Sequence, residues 1–350
     1  MKSTKVLSAV ALMSFASTMA MAASDAPTLG SLFENTGITV GGAVAGSLRQ
    51  NLSVPNPGQA RSSFQLDQAL LSVAYLPKEG FGAALDVASG GYNDQYGQVG
   101  NPKAGTALSQ AYLQYKSGAL TVQAGRFYTL AGYEVFPVAS NLFVSRSVAF
   151  AGSTVAGAEI KGESTYHTGV RASYATSDTL TFNFGVNDGI YDNLDAQQTV
   201  LKEKAVEVGV NWKASSDLSL AVTSYTGKTG AGGVKQSLLS VVANYSYAKD
   251  LNFALSVDQG NYNNTEAGKW KWTAVALYGV YDLNDKTKLG LRIEEINPKL
   301  STKNGIGSLT GVVSYNLAKN LDVRGEVSNV DVEGAYPRTM QAAVQGVLKF

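Results

Sequence analysis

The chain carries almost none of the side chains from which covalent chemistry is built. Its 350 residues include one histidine, His167, and no cysteine, which excludes thiol nucleophiles, disulfide frameworks and cysteine-rich zinc sites. A hydrolase needs a serine beside a histidine and a third group to orient it. His167 instead opens an alternating segment that turns it to the same side as Arg171, as a wall residue would be. The glycine-rich run from Gly230 has no following helix and no Lys-Ser pair, so it reads as turn chemistry and not as a phosphate loop. No catalytic residue, cofactor or metal is expected. What remains is charge. Arg49, Arg171, Arg292 and Arg324 fall on the polar parity of alternating segments, together with Lys271, Lys288, Asp86, Glu207, Asp258, Glu294, Asp322 and Glu326. Glu134 and Glu159 lie in one long intervening segment, with Arg126 and Arg146 beside and within it. Arginines opposed to carboxylates across an aqueous passage create a transverse field that sorts solutes. The plainer reading is paired wall charges, with Arg126 and Arg146 anchoring the long segment through Glu134 or backbone carbonyls.

The elements that must position these charges are strands. An approximate repeat of about 35 residues runs along the chain: SYATSDTLTFNFGV from Ser173, NWKASSDLSLAVTS from Asn211, NYSYAKDLNFALSV from Asn244, GVYDLNDKTKLGLRI from Gly279 and SYNLAKNLDVRGEV from Ser314. Each is an aromatic-ended strand, a tight polar turn at Asp or Asn, and a second alternating strand, which is a β-hairpin. After Asp178, Leu180, Phe182, Phe184 and Val186 take one face while Thr181, Asn183, Gly185 and Asn187 take the other. With 37 glycines, 18 tyrosines and only 8 prolines, composition also leans all-β. A net charge of +1 gives no basic face for nucleic acid.

Alternation alone also fits a soluble sandwich, and other features favour a barrel in lipid. Tyr75, Tyr174, Trp212, Tyr245, Tyr247, Tyr281 and Tyr315 cluster beside the short turns, as amphipathic rings do at a membrane interface. Short turns alternate with longer polar loops. Lys2 and Lys5, the apolar run Val6 to Phe15 and Ala20-Met21-Ala22 read as a signal peptide over residues 1–22. Phe350, with Leu348, Val344, Ala342 and Met340 in every-second register, resembles the terminal-strand signal read by the barrel assembly machinery.

The predicted fold is therefore an all-β, transmembrane, antiparallel up-and-down barrel over residues 36–350, after a short periplasmic segment at 23–35. Strand starts fall near residues 36, 62, 80, 108, 119, 164, 179, 204, 217, 235, 251, 270, 286, 304, 320 and 338, about sixteen within a range of about 14–18. At that size side chains do not fill the interior, so an aqueous channel follows. The segment 129–163, after the fifth strand, is longer than an ordinary loop and carries Tyr133, Phe136, Phe143 and Phe150. Such a segment must pack on something, and the nearest cover is the barrel interior, where it would narrow the passage.

The run QAYLQYKSGALTVQAGRFYTLAGYE from Gln110, with NLFVSRSVAF from Asn141 and YHTGVRASYA from Tyr166, resembles the OmpL-like β-barrel porin family. The shared features are Gly125-Arg126-Phe127, Gly132-Tyr133-Glu134, Asn141 with Ser145-Arg146-Ser147, and His167-Thr168-Gly169. The chain departs from the pattern in the stretch from Ala151 to Thr165 and at NDGIYDN from Asn187. The resemblance implies an outer-membrane channel of undefined substrate. Expected partners are outer-membrane lipids, the assembly machinery and small polar solutes, with a homotrimer by analogy to general porins. The competing expectation is a non-conducting barrel acting as an anchor or adhesin. The lumenal arginines favour anionic or polar solutes.

Overall fold

The computed structural model describes residues 36–53, 62–91, 106–151, 153–155, 158–160, 163–190, 204–229, 234–264, 268–298, 305–332 and 338–350. The expected signal peptide and the segment 23–35 lie outside the described residues. The strands are β1 (Ile38–Asn51), β2 (Ser62–Tyr75), β3 (Gly80–Ser89), β4 (Thr106–Ser117), β5 (Leu120–Tyr128), β6 (Ser153–Val155), β7 (Ala158–Ile160), β8 (Tyr166–Ser177) and β9 (Leu180–Asn187). They continue with β10 (Ala205–Lys213), β11 (Leu218–Thr229), β12 (Val234–Ala248), β13 (Leu251–Asn264), β14 (Gly268–Asn284), β15 (Thr287–Pro298), β16 (Ile306–Ala318), β17 (Leu321–Val332) and β18 (Thr339–Lys349). All except β6 and β7 form one closed antiparallel barrel of 16 strands. Each strand pairs with its sequence neighbour, β5 pairs with β8, and β1 closes on β18 from Ala43↔Lys349 to Asn51↔Gln341. Every barrel strand starts within two residues of its expected position.

Alternation dictates which way each strand faces. On β9, Phe182 and Phe184 are 45% and 56% exposed, while Asn183 and Asn187 on the opposite parity are buried. Apolar side chains outside and polar ones inside invert the arrangement of a soluble protein, and hydrocarbon is the solvent that tolerates it. The interfacial aromatics all face outward and are exposed, Tyr75, Tyr174, Trp212, Tyr245, Tyr247, Tyr281 and Tyr315 among them. The sequence repeat has a geometric counterpart at the tight turns. In the hairpins β8-β9, β12-β13, β14-β15 and β16-β17 the first strand skips one residue just before the turn: Thr176, Tyr247, Leu283 and Leu317 have no cross-strand partner. One bulge type thus recurs in four of the five copies of the motif, the β10-β11 hairpin being the exception.

The inward parity departs from expectation in two places. Lys271 shares its face with Val275 and Leu277 and is exposed on the outside, whereas Trp272, Ala274 and Ala276 are buried inside. The polar-inside rule fails there because the inner face of that wall is covered by protein and not by water. On β2 a bulge opposite Ala45 and Gly46 turns Asp67 and Gln68 both inward, and both are buried. An extra residue re-aims everything on one side of it.

Candidate functional site

The insertion leaves the wall at Tyr128 and re-enters at Tyr166, residues that face each other in the β5-β8 ladder. Between them its backbone donates to side chains that point into the barrel. Leu130 N–H reaches the Tyr225 hydroxyl at 3.0 Å, Gly132 N–H the Ser240 hydroxyl at 2.8 Å, and Val138 N–H the Gln68 Oε1 at 2.9 Å. Val144 and Ser145 N–H donate to the two oxygens of Glu326 at 2.7 and 2.9 Å, and Val148 N–H to Glu294 at 2.7 Å. Where the insertion forms no ladder of its own, wall carboxylates satisfy its backbone amides. The segment includes one 3₁₀ turn (Val138–Ser140) and α1 (Val148–Ala151). Apolar contacts add to the anchorage. Ala131 and Ala149 pack with Ala205, Tyr225, Leu238, Trp272, Ala274, Ile296 and Ile306 of the wall, and Phe143 packs with Ala254, Ala276, Tyr278 and Val312.

Charge organises the contact. Arg292, 1% exposed, donates to Glu134 of the insertion at 2.7 Å, to Glu294 beside it at 3.0 Å, and to the Ser145 and Arg146 carbonyls. Glu134 also accepts from Ser147 N–H at 3.0 Å and from the Tyr278 hydroxyl. Arg171 holds Glu207 with two bonds of 2.5 and 2.8 Å and stacks over Phe127 at 4.1 Å. The glycine between them in the ladder, Gly185, leaves both side chains room to meet. Arg324 donates to Gln345 and to the Val138 and Ala139 carbonyls. Arg49 pairs with Asp67 at 3.1 Å and keeps 24% side-chain exposure.

The remaining expected residues divide. Arg146 donates to the Val135 and Phe136 carbonyls at 2.6 and 2.5 Å and lies over Phe150, so it braces the insertion internally. The arginine that bonds Glu134 is Arg292. Arg126 faces away from the lumen: strand alternation sends Phe127 inward over Arg171, and Arg126 outward to the Leu108 carbonyl, Thr168 and the Tyr166 ring. Glu159 lies on β7, in register with Thr154 of β6. His167 is buried, stacks on Tyr225, and shares hydrogen bonds with Ser164 and Thr129.

Sequence reasoning missed two contributors. Asp67 gathers Ser47, Arg49, Gln65 and Gln345 at 2.7–3.1 Å. Its signal was available: Leu66 and Leu71 both face out although the four residues between them would, by strict alternation, put them on opposite faces. Glu163 was also unread. Its carboxyl lies against Gly132, where a Cβ would sit 1.7 Å from Oε2 and where φ is +83°, a conformation that favours glycine. Burial first, then Asp258 and Glu134 nearby, push the Glu163 carboxyl well above its ordinary range, and Arg146 opposes them.

A family model described as "Putative beta-barrel porin-2, OmpL-like" matches residues 37–345, nearly the whole barrel. The chain belongs to this porin family. Its motif now has a structural meaning: Gly132, Glu134, Asn141, Arg146 and Ser147 are the inner bracing of the insertion, with Asn141 bonding Val135 and Pro137 across the turn. Several solved structures share the fold. An anion-selective porin from Comamonas acidovorans is 14% identical, with a TM-score of 0.63 over 89% of this chain and 99% of that one. OprB of Pseudomonas putida is 12% identical, with a TM-score of 0.64 over 91% and 96%. OmpT of Vibrio cholerae in a trimer form is 13% identical, with a TM-score of 0.62 over 89% and 99%. No curated protein sequence matches the chain. The protein is an outer-membrane porin.

Proposed function

We propose that this porin passes small polar solutes by diffusion along the wall formed by β1 to β5, with the insertion 129–163 narrowing the rest of the lumen. The observation that carries the reading is the insertion's attachment to inward side chains of β11 to β17, centred on the Glu134–Arg292 pair. Inward Arg49, Gln65, Gln110, Tyr112, Gln114 and Gln123 keep contact with solvent. The arginines expected to attract anions are tied up: Arg171, Arg292 and Arg49 are paired to carboxylates, and Arg324 bonds insertion carbonyls. Weak charge selectivity follows, and the expected anion preference loses its basis. The protein is proposed to do no chemistry, since Ser164 and His167 meet only in a buried, structural contact. Assembly as a homotrimer fits the trimer form of the OmpT structure.

The non-conducting alternative draws on one observation, that the insertion also touches the opposite wall at Gln68 and Ala45. Purified protein in a planar bilayer separates the two. Discrete open-channel steps with a reversal potential near zero in a salt gradient are expected, and persistent silence overturns the porin reading of this lumen.

A further inference from the structure

Outside the barrel, the long-loop ends of β11, β12 and β14 carry a group of cations that the channel does not use. Lys228 and Lys235 are exposed, face outward and are direct cross-strand partners. Like charges placed opposite each other on one face repel unless an anion lies between them. One level below, Thr226, Ser237, Asn261 and Lys271 form an outward polar row, in which Asn261 donates to Ser237 at 3.0 Å and Lys271 is exposed. Among the described residues no acidic side chain pairs with Lys228, Lys235 or Lys271, whereas the neighbouring Lys204 is paired with Asp188.

Height fixes what these lysines meet. Below them the same strands show a mixed row of Ser224, Leu239, Gln259 and Thr273, then Val222, Val241, Val257 and Val275, then Leu220, Ala243, Leu255 and Leu277, then Tyr245 and Phe253 beside the tight turns. Ten residues of strand separate the Leu218-Tyr245 row from the Lys228-Lys235 row. At about 3.3 Å per residue and a tilt of about 40°, that is about 25 Å, the height of an outer-membrane apolar band. Lys228 and Lys235 therefore stand at the outer headgroup level, with Lys271 one row, about 5 Å, beneath them, all on the lipid side where solutes in the lumen cannot reach them.

We propose that Lys228, Lys235 and Lys271, with Ser237 and Asn261, form a binding surface for the phosphate groups of outer-leaflet lipid. Adjacent ammonium groups suit a phosphate, and Ser237 and Asn261 supply neutral hydrogen-bonding groups between them. Lipid held there would border β11 to β14, the strands to which the insertion is attached on the inside.

The test is native mass spectrometry of the purified full chain with bisphosphorylated lipid A, compared with the same glycolipid stripped of phosphate. Wild type should retain the phosphorylated lipid, and the triple variant Lys228→Gln, Lys235→Gln, Lys271→Gln should bind it at least about tenfold more weakly. The stripped lipid should bind both equally. Lys213→Gln with Lys249→Gln, at the tight-turn end, should bind as wild type does. Retention by the triple variant within about twofold of wild type, or equal binding of both lipids by wild type, overturns the proposal. Lys235→Gln alone, which alters one exposed side chain, should weaken binding by several-fold and keeps the test decisive if the triple variant fails to fold.

Discussion

Glu134 and Arg292 lie 158 residues apart in sequence and 2.7 Å apart in the barrel, where they join the insertion to the wall out of reach of solvent. Burying such a pair adds little net stability, because desolvation offsets most of the attraction, but removing one partner strands the other. Arg292→Ala leaves Glu134 and Glu294 buried together and is expected to cost about 3–5 kcal/mol. The midpoint of the heat-induced gel-mobility shift should fall accordingly. Arg292→Met with Glu134→Gln should cost less than the two single changes added together, since Glu134 is then no longer a stranded charge and only Glu294 loses its partner.

Glu326 anchors the insertion through two backbone amides. Glu326→Gln can accept from only one of them, at a cost of about 1.5–3 kcal/mol for the charge-assisted bond lost. Single-channel records should show more flicker and a larger mean conductance. An unchanged open-level variance would mean that the Val144-Ser145 turn is held by other contacts.

Anchorage should depend on pH through Glu163. Its carboxyl titrates above the ordinary carboxylate range when folded, so its contribution is fully present below the unfolded value and is lost as pH rises through the raised one. The groups around it are Asp258, Glu134 and Arg146. Resistance of the insertion to proteolysis should thus decline as pH rises above the ordinary carboxylate range. Glu163→Gln, which cannot ionise, should flatten that profile.

Gly132→Ala probes the same place sterically. The new methyl would overlap the Glu163 carboxyl and sit at a positive φ, an unfavourable combination expected to cost about 1–3 kcal/mol or more. Gly118→Ala is the control. It too has a positive φ of 54°, but nothing lies within 4 Å of the added carbon, so only the backbone penalty applies. Comparing the two thermal midpoints isolates the contact with Glu163.

The strands were readable because their determinants are local. Two-residue alternation and Asp- or Asn-centred turns act over a dozen residues, and they located β1 to β18 of the barrel wall closely. Facing was readable wherever one side met lipid and the other water. It failed at Lys271, because the inner side of β14 meets Ala131 and Ala149 of a distant segment, and Trp272 could be buried there. Arg126 was ambiguous because its neighbour Phe127 is also buried, so burial alone gave no parity. That Glu134 would oppose an inward arginine was readable, but not that the arginine would be Arg292. Spacing along a chain does not say which of several inward arginines a 35-residue excursion, well beyond the length of ordinary loops, will meet.

Tyr128 and Tyr166 are ladder partners, so the insertion begins and ends at a single point in the wall, and the hydrogen-bonded cylinder is complete without it. Wall and insertion are accordingly separate inheritable units. On the proposed reading, changes in the length or charge of the segment that narrows the passage leave the lipid-facing cylinder untouched. A cell could in this way alter what crosses its envelope without having to re-evolve a membrane protein.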